Sequence, residues 1–131
     1  MVTLNFSLID SPHEIPMANN GAIFTQLDIN RAIAYLNKGK TDLFAHTLEI
    51  AAFNRIFNIC QDKGLTWEDP WWDGEDMIPQ YLPKGLTINI YVTGFIPALV
   101  AVINMCQYNC ITVNTWHYNR DSGDYFCYPV A

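Results

Sequence analysis

The chain has 131 residues, half of them hydrophobic and 14% aromatic, which suits one domain with one sizeable core and excludes a disordered chain. A formal net charge of −6, with seven basic residues scattered along the sequence, argues against binding to long nucleic acid, which needs clustered Lys and Arg. The start carries no basic stretch with a long apolar run behind it, and the longest apolar run, Phe95 to Val102, is broken by Pro97 and too short to cross a bilayer. A cytoplasmic protein with no membrane-spanning segment is expected.

The residues from Met1 to Ile9 read as a strand, with Val2, Leu4 and Phe6 alternating with Thr3, Asn5 and Ser7. Asp10 to Gly21, with Pro12 and Pro16, is a loop, and Ala22 to Leu27 is a short strand. Asp28 is the expected N-cap of a helix over Ile29–Leu36, ended by Asn37-Lys38-Gly39-Lys40. Thr41 caps a longer helix, with Asp42 in its first turn and apolar residues recurring at three and four until Gly64. The segment 65–85 is a long loop in which three tryptophans and five acids fall between Trp67 and Asp76, and Pro70, Pro79 and Pro83 argue against regular structure.

Leu86–Val92 is the clearest strand, with β-branched Ile88, Ile90 and Val92. Thr93-Gly94 breaks it, and Pro97 suits the first turn of a helix running to about Tyr108. Cys110–Trp116 is a further strand. Asn119 to Gly123 is a turn, and Tyr125–Tyr128 closes the chain as a strand. The expected fold is a single α/β domain over 1–131, with a small Rossmann-like, mostly parallel sheet, flanking helices and an antiparallel C-terminal edge hairpin.

Four cysteines, Cys60, Cys106, Cys110 and Cys127, contain no Cys-x-x-Cys, and no second pair completes a metal site with Cys106 and Cys110. They are expected to be reduced, buried thiols, with no metal and no cofactor.

Chemistry concentrates where Leu86–Val92 leaves the sheet. The first amides of a helix lack intrahelical partners and carry partial positive charge, and Gly94 lacks the Cβ that would hold a ligand off the backbone. Gly94, Phe95, Ala98 and Leu99 offer N–H groups to a phosphate there, and Thr93 offers a hydroxyl; the same tight βα turn also occurs in proteins without a ligand. Asn5 and Ser7 join this rim if the first strand runs parallel beside Leu86–Val92, and are otherwise ordinary exposed strand positions. His117, placed just after a strand, is the candidate general base. Trp67, Trp71 and Trp72 serve to stack a base, to meet a protein partner, or to pin a long loop.

Two stretches carry a family resemblance. Leu4-Asn5-Phe6-Ser7, together with the run from Gly85 through Val92-Thr93-Gly94-Phe95 to Val102 and the Trp116-His117-Tyr118 turn, resembles small accessory proteins of type III CRISPR loci, which are similar to the CRISPR-associated Rossmann-fold sensors. The resemblance implies a cyclic oligoadenylate ligand contacted by Asn5, Ser7, Thr93, Gly94 and Phe95, and a homodimer whose two-fold axis passes through the ligand. It also implies either sequestration or metal-independent cleavage, in which a ribose 2′-hydroxyl attacks the adjacent phosphorus and the protein positions the groups. A second reading, of a different class, is a small inhibitor or adaptor that meets its partner through the tryptophan- and acid-rich loop.

Overall fold

A computed structural model describes residues 2–10, 15–65, 71–73, 76–78 and 85–130. The strands are β1 (Val2–Ile9), β2 (Ala22–Phe24), β3 (Trp71–Asp73), β4 (Asp76–Ile78), β5 (Leu86–Tyr91), β6 (Thr112–Asn119) and β7 (Asp124–Val130). The helices are α1 (Gln26–Asn37), α2 (Thr41–Asp62) and α3 (Ile96–Tyr108). Five strands form one sheet in the order β2-β1-β5-β6-β7, parallel except for the β6–β7 hairpin at its edge. The chain is therefore α/β with the expected parallel βαβ unit and antiparallel closing edge.

Alternation decides which face of the sheet is buried. Leu4, Ile88 and Val113 form one row across three strands, and Phe6, Ile90 and Thr115 form the next. These rows belong to the cluster that holds Ile29 and Ala32 of α1, Phe44, Leu48, Ala52 and Ile56 of α2, and Ala98, Val102 and Cys106 of α3, Thr115 being the buried polar member of the face. All three helices thus cover one face. The other carries Thr3, Thr87 and Thr112, then Asn5, Asn89 and Asn114, then Ser7, Tyr91 and Trp116. Among the described residues no helix is long and apolar enough to cross a membrane.

Several boundaries differ from the sequence reading. Thr25, not Asp28, caps α1: its side chain accepts from the Asp28 amide while the Asp28 carboxylate accepts from the Thr25 amide at 2.9 Å, a reciprocal capping box. Thr41 is the first residue of α2, and Lys40 stands at its N-cap without a side-chain bond. Within 65–85, β3 and β4 pair antiparallel with Trp71 opposite Ile78, so the expectation of no regular structure fails there. In sequence, neither Pro70 nor Pro79 falls within the two strands. Residues 66–70, 74–75 and 79–84, Trp67 among them, lie outside the described residues.

Cys60 and Cys106 are buried as expected, but Cys110, just after the end of α3, and Cys127, on the edge strand β7, are exposed; all four are free. Burial pushes the Cys106 thiol up to about 12 and also raises that of Cys60. A thiol that stays protonated in the fold but ionises near 9 in the unfolded chain draws the equilibrium toward unfolding as pH rises from 9 to about 12. Titration with a thiol reagent should label Cys110 and Cys127 in the native protein and all four cysteines after denaturation, and chemical stability should fall across that alkaline window. Ile88 is fully buried in a central strand, so Ile88→Ala should lower the unfolding free energy by roughly 2–5 kcal/mol in a denaturant titration.

Candidate functional site

The parallel strands β1, β5 and β6 end together at one rim, the position where open α/β sheets receive ligands. From β5 the chain runs through Val92, Thr93, Gly94 and Phe95 into α3. Gly94 has φ +66°, a conformation that L side chains rarely adopt, and a Cβ built there would meet nothing within 4 Å. The glycine is therefore demanded by the backbone, and the space in front of it is open.

Phe95 stands at the N-cap of α3 without a side-chain cap bond, and its ring meets Phe44 edge-on with centroids 6.2 Å apart. That contact pins the turn to α2 and leaves the Phe95 backbone, not its ring, for a ligand. Among the described residues the amides of Gly94 and Phe95 have no hydrogen-bond partner. The Ala98 amide, expected to be offered to a phosphate, instead donates to the Phe95 carbonyl at 3.1 Å.

Two side-chain atoms at this rim, Thr93 Oγ1 and Trp116 Nε1, are buried without hydrogen-bond partners among the described residues. A buried polar group left unpaired costs about 1–3 kcal/mol, and native proteins carry few of them. Trp116 stacks on Tyr91 with centroids 5.7 Å apart and planes 20° apart, and Tyr125 closes on Tyr91 edge-on at 5.2 Å. Burial raises the Tyr91 phenol above its ordinary pKa, with Cys127 and Tyr125 adding to the shift. The sequence reading did not name this aromatic cluster, although Tyr91 and Trp116 occupy alternating open-face positions near the ends of two adjacent strands.

Of the residues expected at the site, Ser7 lies opposite Tyr91 in register, close to the rim. Asn5 does not reach it. It sits opposite Asn89 in the body of the sheet, four residues before β1 ends, and both ends of its side-chain amide are hydrogen-bonded. Asn114 Nδ2 donates to Asn89 Oδ1 at 3.2 Å, Asn89 Nδ2 donates to Asn5 Oδ1 at 2.9 Å, and Asn5 Nδ2 donates to Asn19 Oδ1 at 3.4 Å. The Asn5 amide donates to Asn20 Oδ1 at 2.8 Å. Asn5 is a link in a row of side-chain amides that ties three strands and the 15–20 loop together.

His117 lies inside β6 rather than after it, because that strand continues to Asn119. The bond from the Val92 amide to the Trp116 carbonyl, 2.9 Å, brings His117 beside the β5–α3 turn. Its side chain stands on the helix-side face, stacked on Phe126 with centroids 5.6 Å apart. The Thr115 hydroxyl donates to the Tyr128 carbonyl at 2.9 Å and lies 2.9 Å from His117 Nε2. A hydroxyl has one proton, so with Thr115 donating to Tyr128 the His117 Nε2 is the donor in this pair. The described residues hold no group of three or more His, Cys, Asp or Glu placed to bind a metal ion.

Comparison with known proteins gives no matching family model, no matching curated protein and no matching solved structure. The Thr115–His117–Tyr128 link is testable by itself. Thr115→Val removes both bonds of a buried hydroxyl, so it should destabilise the fold by about 1–3 kcal/mol in denaturant titration, whereas Thr115→Ser should recover most of that loss.

Proposed function

We propose that this chain binds a phosphate-bearing ligand at the turn from β5 into α3, and that the ligand is a cyclic oligoadenylate. The buried and unpartnered Thr93 hydroxyl, beside a glycine that leaves open space and two free amides, carries the phosphate part of this reading. A threonine hydroxyl reorients about one side-chain torsion, and a phosphate oxygen would relieve its missing bond. The negative net charge does not oppose a local site, because the amides act at hydrogen-bond range while five of the acids cluster between Glu68 and Asp76.

The resemblance of Leu4-Asn5-Phe6-Ser7 and of the Gly85–Val102 run supports the cyclic oligoadenylate in particular. A two-fold symmetric ligand of that kind would be held between two copies of the chain, each supplying Ser7, Thr93, Gly94 and Phe95. His117, fixed by Thr115 and adjacent in register to the turn, is the side chain best placed to influence any cleavage.

Calorimetry with cyclic tri-, tetra- and hexa-adenylate, against linear oligoadenylate, tests the reading. One ring size should bind, and Gly94→Val should abolish that binding through backbone strain and a Cβ at the ligand face. Thr93→Ala should weaken it by about 0.5–1.5 kcal/mol, or more if the lost bond meets a charged oxygen. Absence of binding by every ring at about 100 µM ligand, a concentration that detects micromolar affinity, would overturn it.

A further inference from the structure

A second cleft lies away from the β5–α3 turn, between α1, α2 and the edge strand β2. Its volume is about 560 Å³, within the usual range for small-molecule sites. The Arg55 guanidinium is seated beside it by the edge strand. Arg55 Nε donates to the Ala22 carbonyl at 3.0 Å and Nη2 donates to the Asn20 carbonyl at 3.1 Å. Gly21 makes room for this: it has φ +86°, and a Cβ there would stand 3.0 Å from Arg55 Nη2. The Nη1 end of the fork stays unused among the described residues, and a half-buried guanidinium answered only by neutral carbonyls keeps its full charge.

The rest of the lining complements that charge in three chemically different ways. Arg31 adds a second guanidinium, and among the described residues it forms no ion pair. Asp10 and Asp28 add carboxylates, likewise without an ion pair among them; the Asp28 carboxylate also accepts from the Thr25 amide in the α1 cap. Ile50, which is 46% exposed, and Ala51 form an apolar wall. Two unpaired cations, two carboxylates of which Asp28 is already engaged in the α1 cap and Asp10 is not, and an aliphatic surface match a molecule that bears a carboxylate, an ammonium and an apolar side chain. A simple anion would leave Asp10 unanswered, and a simple amine would leave both arginines unanswered.

We propose that this cleft is a ligand site for a zwitterionic, amino-acid-like molecule with an aliphatic side chain, its carboxylate facing Arg31 and Arg55 and its ammonium facing Asp10. The site is separate from the β5–α3 turn and does not depend on it.

Leucine is the probe, with 4-methylpentanoate and 3-methylbutylamine as the same skeleton lacking the ammonium or the carboxylate. In calorimetry leucine should bind, and each control should bind about tenfold more weakly or worse, tenfold being ~1.4 kcal/mol. Arg31→Gln and Asp10→Asn, both at exposed positions outside the core, should each weaken leucine by a similar factor while leaving the ligand-free melting temperature unchanged. Gly94→Val should leave leucine binding intact, which separates this site from the phosphate site. The proposal is overturned if leucine fails to bind at about 10 mM, well above any useful dissociation constant. It is equally overturned if 4-methylpentanoate binds as well as leucine, or if both variants bind it like the wild type.

Discussion

Three parallel strands meet with Leu4, Ile88 and Val113 in one row and Asn5, Asn89 and Asn114 in the next. A slip of one residue in any strand would turn its amides into the core and its aliphatic residues onto the open face. Both faces resist that slip. Burial holds the aliphatic rows under α2 and α3, and the head-to-tail amide bonds from Asn114 through Asn89 to Asn5 hold the other side. Chains of such bonds polarise one another, so the row is worth more intact than as separate pairs.

That register sets what stands at the rim. With Ser7, Tyr91 and Trp116 in one row, the last open-face positions of the parallel strands carry a hydroxyl and two stacked rings, and the chain must then turn sharply into α3. Gly94 permits the turn, and the Phe95 ring anchors it against Phe44. Among the described residues, the two buried side-chain polar atoms without partners, on Thr93 and Trp116, both belong to this end of the sheet. Unpaired groups gathered at one end of an otherwise well-satisfied sheet are where a ligand would add most to stability as well as to function.

The two outer strands are closed in different ways. On β2 the Arg55 guanidinium takes up the Ala22 and Asn20 carbonyls, which blunts the edge and at the same time brings a positive charge to the α1–α2 cleft. On β7 Pro129 sits in an edge strand, where a missing amide costs the sheet least and leaves an incoming strand one donor short.

The sequence by itself determined the strands β1 and β5, the βαβ unit ending in β6, and the closing hairpin, because alternation, Gly94, Pro97 and the Asn119–Gly123 turn are local signals. It also marked Thr93-Gly94 as a strand-to-helix turn, since a glycine after a β-branched run and before a proline is readable without the fold. Only the tertiary structure decided that all three helices cover one face, that Asn5 is consumed in an amide row, and that His117 is bound to Thr115 on the helix-side face. The cleft seen by Arg55 depends on contacts to residues 33 and 35 positions away. Such pairings arise from which strand neighbours which and in what register, a property of the assembled sheet that no local window of the chain contains.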